Sequence, residues 1–188
     1  RLLSGGADPG WMSVWRGTWP TGGAFNTTVF QLGGMGARAV KDGLNTTGFP
    51  SGVGGVPAEV IETLSPMIQH ERALIPDSGG AGKQRGGLGQ TTLFTCRGGQ
   101  PWSVSAMIDR TAYAAQGIDG GASGALGAFM VNDQPGTPKT VVWFEPDARV
   151  RLSPPGGAGY GPPRQRDPQA VLNDVIEGYV TVEAAARD

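Results

Sequence analysis

The sequence predicts an α+β fold: one β-rich domain over residues 1–188, with Gly-rich loops between strands and a short carboxy-terminal helical segment. Three observations carry this prediction. Runs of β-branched and aromatic residues recur at 27–32, 67–75, 90–95 and 102–109, the last alternating Trp102, Val104, Ala106 and Ile108 against smaller polar positions. Gly (33) and Pro (15) make about a quarter of the 188 residues, which suits tight turns and disfavours long helices. Yet 38% of residues are hydrophobic, with five Trp and six Phe, so enough apolar surface exists to offset the entropy of ordering the chain.

Residues 1–25 place Trp11, Trp15, Trp19 and Phe25 among Gly10, Gly17, Pro20, Gly22 and Gly23. Trp11 and Trp15 would share a helix face, but the intervening breakers leave no room for a stable helix. These aromatics are expected to pack over a core or a partner segment rather than to stack on a ligand. A strand at 27–32 stops at Gly33-Gly34. Gly34, Gly36 and Ala39 then spell Gly-x-Gly-x-x-Ala, the start of a dinucleotide fingerprint. That fingerprint requires a helix next, and 41–50 is turn chemistry, so no Rossmann site is expected.

Residues 56–64 read as a short helix, with Pro57 near its first position and Glu59 at the positive end of its dipole; Ser65-Pro66 ends it. Segments 126–131 and 140–144 read as a hairpin-like pair joined by a longer loop. A last short strand, 148–152, turns Val150 and Leu152 inward and Arg149 and Arg151 outward. Residues 153–163 are too rich in Gly and Pro for regular structure. A helix then opens with Asp167 as N-cap and Pro168 at N1, and stops before Gly178. Val171, Leu172, Val175 and Ile176 share one face, and their burial, at roughly 1.5–3 kcal/mol each, is expected to fix the helix to the domain. A second short helix follows Thr181.

A formal net charge of −1 gives no reason to expect nucleic acid or an anionic membrane as partner. The single cysteine, Cys96, excludes an intrachain disulfide, which suits a reducing cytoplasm. No apolar run approaches membrane-spanning length. One histidine, His70, cannot build a zinc site unaided, so no metal is expected on this chain. General acid–base work by His70 stays open beside the commoner role of a hydrogen-bonded strand residue.

The loop at 75–90 is the least ordinary stretch. It mixes Asp77, Ser78, Lys83 and Arg85 with closely spaced glycines, unlike a plain Gly/Ser spacer. Gly82-Lys83 suggests a P-loop, but Asp77 stands where the first Gly belongs and Gln84 where Ser or Thr belongs. Two readings remain: an amide-rich, basic loop that receives an anion, or a tight connection between paired strands.

Pro76-Asp-Ser-Gly-Gly-Ala-Gly with Arg85-Gly-Gly-Leu-Gly resembles a block of the hydantoinase B/oxoprolinase family. Lys41-Asp-Gly-Leu44 with Phe49-Pro-Ser-Gly-Val53, and Gly156-Gly-Ala-Gly-Tyr-Gly161 followed by Arg166-Asp-Pro168, agree in order and spacing. Ile75, where the family often carries Arg, and Pro162, where Asp often follows, depart from it. The resemblance covers the carboxy-terminal part of the family's B-type subunit. Together with a first residue, Arg1, that is not Met, it suggests a fragment, a split subunit or a processed chain.

The resemblance implies a cytoplasmic, multi-subunit, ATP-dependent enzyme opening cyclic amides such as hydantoins, oxoproline and lactams, or a ketone carboxylase of the same architecture. A non-catalytic assembly module is the other reading. It further implies ATP and magnesium on an A-type partner, and a divalent metal on the upstream portion of the B-type subunit. On this chain it leaves catalytic residues unknown. His70, Asp77, Ser78, Lys83 and Arg85 are the candidates for touching substrate or partner.

Overall fold

The computed structural model describes residues 10–49 and 51–187. Two antiparallel sheets pack face to face, with three short helices at their margins. The first sheet runs in the order β2 (Ala24–Gln31), β1 (Trp11–Thr18), β5 (Trp102–Met107), β8 (Val141–Phe144). The second runs β3 (Met67–Leu74), β4 (Gln90–Cys96), β9 (Val150–Ser153), β6 (Ala128–Val131), β7 (Gln134–Pro135). The expected α+β class and the four long strands are therefore present.

Aromatic residues make the core between the sheets. Trp11, Trp15 and Trp102 are fully buried, and the Trp15 ring stacks on Trp102 at 5.5 Å and tilts against Phe94 at 5.3 Å. The tryptophan-rich segment at 11–18 thus forms a strand, because β1 can bury every second side chain (Trp11, Ser13, Trp15) where a helix interrupted by glycine could not close its turns. Val150 and Leu152 point inward as their alternation predicted.

The expected hairpin between 126–131 and 140–144 does not form. β6 turns directly into β7 and pairs on its other side with β9, whereas β8 crosses to the first sheet and pairs with β5. Asn132 and Asp133 both adopt positive φ (50° and 61°), and this tight turn closes the hairpin before the chain reaches β8.

The helices are α1 (Ala58–Leu64), α2 (Pro168–Ile176) and α3 (Val182–Arg187). Asp167 caps α2 as expected, accepting from the Gln169 amide, and Gly178 leaves it with φ of 71°. Half of the expected face of α2 is turned inward: Val171 and Val175 are partly buried. Leu172 and Ile176 are 51% and 71% exposed, while Asp174, on another side of the same helix, is buried. An ion-paired carboxylate, rather than the aliphatic stripe, orients α2. Leu172→Asp accordingly shifts stability by no more than about 0.5 kcal/mol, the range of ordinary surface substitutions. Urea unfolding of the variant checks this.

Candidate functional site: a glycine-packed core and its ion-pair ring

Four segments without regular secondary structure, around residues 33–37, 78–89, 115–125 and 154–161, lie side by side and hydrogen-bond through their backbones. Gly87 N donates to Met35 O (2.8 Å), Gly157 N to Gly87 O (2.9 Å), and Gly80 N to Gly157 O (2.8 Å). Further out, Ala122 N donates to Ala81 O (2.7 Å) and Gly159 N to Ala122 O (2.9 Å). Backbone packed against backbone leaves no space for side chains. A Cβ on Gly34 would overlap the Gly87 carbonyl; one on Gly86 would overlap that of Gly157, and one on Gly156 that of Ser78. Gly79, Gly80, Gly86 and Gly87 are not in the left-handed region, so space and not backbone conformation demands glycine there.

This arrangement explains the loop at 75–90. Several of its amides are spent on neighbouring carbonyls: Lys83 N donates to Gly161 O, Gln84 N to Tyr160 O, Gly86 N to Gly80 O and Gly87 N to Met35 O. Ser78 closes the loop's base, donating to Ile75 O (2.6 Å) while its oxygen accepts from Gly89 N (3.0 Å). Asp77, with φ of 59°, anchors the carboxy-terminal segment: its carboxylate accepts from the Thr181 amide and hydroxyl, both at 2.8 Å.

At one end of the glycine core four charged residues form a ring, closed where the Arg85 amide donates to Asp42 Oδ1 (2.7 Å). Arg166 spans two carboxylates, donating to both oxygens of Asp42 (2.8 and 2.7 Å) and to Asp174 Oδ2 (2.6 Å). Arg85 Nε donates to the same Asp174 oxygen at 3.2 Å, and its Nη1 donates to Gly86 O (2.6 Å). The Tyr179 ring lies 5.3 Å from the Arg85 guanidinium carbon. Asn45 supports the ring by accepting from the Leu88 amide at 2.9 Å. Burial pushes the Asp42 carboxyl up. The Arg166 guanidinium bonded to it, with Arg85 beside it, more than offsets this and holds it below its ordinary value. A cavity of about 80 Å³ opens beside the ring, between the loop and helices α2 and α3, with Asp77, Arg85, Arg166 and Asp174 on its wall.

Of the residues singled out from sequence, Asp77, Ser78, Lys83 and Arg85 share this loop, and Asp77 and Arg85 line the cavity. Lys83 is exposed. His70 stands apart on β3, at an irregularity in its pairing with β4, where its Nε2 lies 2.7 Å from Thr95 Oγ1. Among the described residues no group of three or more His, Cys, Asp or Glu could hold a metal ion. Sequence reading missed Asp42, Asn45, Arg166 and Asp174. Asp42 and Arg166 lie in the blocks that flank the loop's resemblance, which was the available signal; Asp174 had none, being one polar residue on a helix read for its aliphatic side.

The family model for hydantoinase B/oxoprolinase matches residues 2–163, and so takes in the whole glycine core. The chain belongs to the hydantoinase B/oxoprolinase family. An uncharacterized protein of Methanocaldococcus jannaschii is 35% identical over 136 residues, covering 70% of this chain and 24% of that protein. The B-type subunit of a putative D-/L-hydantoinase from a Pseudomonas species is 29% identical over 161 residues (81% of this chain, 27% of that one). The caprolactamase β subunit of Pseudomonas jessenii is 30% identical over 170 residues (82% and 28%). The chain therefore spans about a quarter of the length of these relatives. Its fold recurs in the crystal structure of the Pseudomonas jessenii ATP-dependent caprolactamase, with a TM-score of 0.79 at 22% identity over 97% of this chain and 34% of that one. It recurs too in nucleotide-free acetone carboxylase, with a TM-score of 0.74 at 22% identity over 99% and 30%.

Proposed function

We propose that this chain is the carboxy-terminal portion of a B-type subunit in an ATP-dependent enzyme that opens cyclic amides, acting with an A-type partner. The family match over the glycine core carries the reading. It is supported by relatives named as a putative hydantoinase subunit and a caprolactamase subunit. In this reading ATP and magnesium sit on the A-type partner and a divalent metal on the preceding portion of the B-type subunit. The described residues of this chain do not fit a metal site, so no chemical step is assigned to them. Their contribution is a wall: glycine-rich segments locked by backbone hydrogen bonds, presenting Lys83 and the Asp77–Arg85 cavity to a neighbour or to substrate.

The acetone carboxylase α subunit, 29% identical over 86% of this chain, supports ketone carboxylation as a second reading. The assembly purified through this chain from the cells that make it should hydrolyse a hydantoin, oxoproline or a lactam only with ATP. The isolated chain should hydrolyse none. An assembly that fixes bicarbonate onto a ketone and leaves cyclic amides intact replaces the first reading by the second. Activity of the isolated chain overturns both.

A further inference from the structure

The outer faces of the two sheets differ in what they expose. On the second sheet the outward residues bond one another in polar pairs: Arg151 donates to Glu71 (2.7 Å) and to Thr91 (3.1 Å), and Ser153 donates to Thr91 (3.1 Å). That face is dressed for water. The strand register of the first sheet puts Phe30, Met12 and Met107 in one outward row, Thr28, Val14, Ser105 and Val141 in the next, and Asn26, Arg16, Ser103 and Trp143 in the third. Met107, Val141 and Trp143 are 61%, 50% and 68% exposed. Among the described residues, Arg16 is the one charged residue at an outward strand position of this sheet. The apolar side chains form a band from Phe30 and Met12 through Met107 to Val141 and Trp143, bordered by Thr28, Asn26 and Arg16. An exposed apolar band of this kind marks an interaction surface.

The sheet edges show the same asymmetry. β3 is an edge strand broken by the pairing irregularity at His70, and it carries Gln69, Glu71 and Arg72. β7 is two residues long and ends in Pro135. Both are protected against pairing with another chain. β8 ends the first sheet as Val-Val-Trp-Phe, without a charge, a proline or an irregularity. Such an edge accepts an added strand.

We propose that the outer face of the first sheet, with the open β8 edge, docks the remaining portion of the B-type subunit. The inference rests on the functional reading above. The occupant follows from scale: in the solved caprolactamase and acetone carboxylase chains this fold is 34% and 30% of a much longer polypeptide. The covering surface is apolar at its centre, with an acidic group opposite Arg16, and it extends β8 by a strand.

Trp143→Ala tests this. Residues 1–188 with and without the substitution are titrated against the preceding portion of the B-type subunit from the same cells. The dissociation constant should rise about thirtyfold or more, the loss expected of a central aromatic anchor. The melting temperature of the isolated chain should stay unchanged, since Trp143 is already in solvent there. Val40→Ala, at an 80% exposed position in the loop after β2, should bind as wild type. Unchanged binding by Trp143→Ala, in an assembly that still opens cyclic amides with ATP, overturns the docking surface and leaves the functional reading standing. Equal weakening by Val40→Ala also overturns the surface. Wild-type residues 1–188 that bind no preceding portion of a B-type subunit, whether as monomer or as a dimer joined at β8, overturn the assigned occupant and the functional reading together.

Discussion

Gly87→Ala should unfold or severely destabilise the chain, although it adds a single methyl group to a residue with ordinary backbone conformation. The new Cβ would meet the carbonyl group of Leu44 and the amide nitrogen of Met35, all main-chain atoms of segments held by hydrogen bonds on their other sides. A side chain can swing away from an intruding methyl; a bonded backbone cannot, without breaking Gly87 N to Met35 O and Gly157 N to Gly87 O. A cost of about 3 kcal/mol or more follows, at the top of the range for overpacking. In a chain of this size that lowers the melting temperature by roughly 6–12 °C. Gly54→Ala is the matched control. It lies in open space without a positive φ, so it should be neutral or stabilising by about 0.4–1 kcal/mol through the unfolded state. Equal melting temperatures for the two variants would show that the glycine core yields where close packing says it cannot.

The second large effect is expected at Arg166, whose guanidinium joins the block at Asp42 to the helix carrying Asp174. Arg166→Met keeps much of the side-chain volume and removes the charge, leaving Asp174, nine-tenths buried, with Arg85 as its remaining ion-pair partner. Breaking a buried pair from one side costs about 3–5 kcal/mol, because the orphaned charge stays behind. The lower end applies here, since Asp42 is about one-third exposed and can regain water. Arg166→Lys keeps the charge but cannot present parallel donors to both Asp42 oxygens, and should fall between wild type and Met.

The pH dependence has a definite sign. Because the folded state holds the Asp42 carboxyl below its ordinary value near 3.8, its contribution is complete above that value and lost as the pH falls through the folded one. Arg166→Met should flatten this acid limb. Urea unfolding of the two variants between neutral and acid pH measures both quantities. Wild-type stability in Arg166→Met would mean that α2 is fixed by something other than the ring.

The strand at 11–18 was not legible in the sequence, because glycines and a proline break its pattern. The strands at 27–32, 67–75, 90–95 and 102–109, the inward alternation of β9, the Asp167 cap and the absence of a dinucleotide helix after β2 were legible. Each is decided within a few residues: side-chain alternation sets the strand face, a short polar side chain satisfies free amides at a helix start, and turn residues stop a helix before it begins. The family blocks were equally visible as strings. Which strands pair was not, because β6 meets β9 and β8 meets β5 through contacts between distant parts of the chain. Nor could sequence say why the loop at 75–90 needs its glycines. The same string serves an anion nest or a turn, and only the approach of residues 33–37 and 154–161 shows that most of its amides are already taken, those of Gly79, Ala81 and Gly82 beside the cavity excepted. The burial of Asp174 in place of Leu172 has the same origin. Helix periodicity finds an aliphatic stripe, but the orientation of α2 is chosen by two guanidinium groups that arrive from residues 85 and 166.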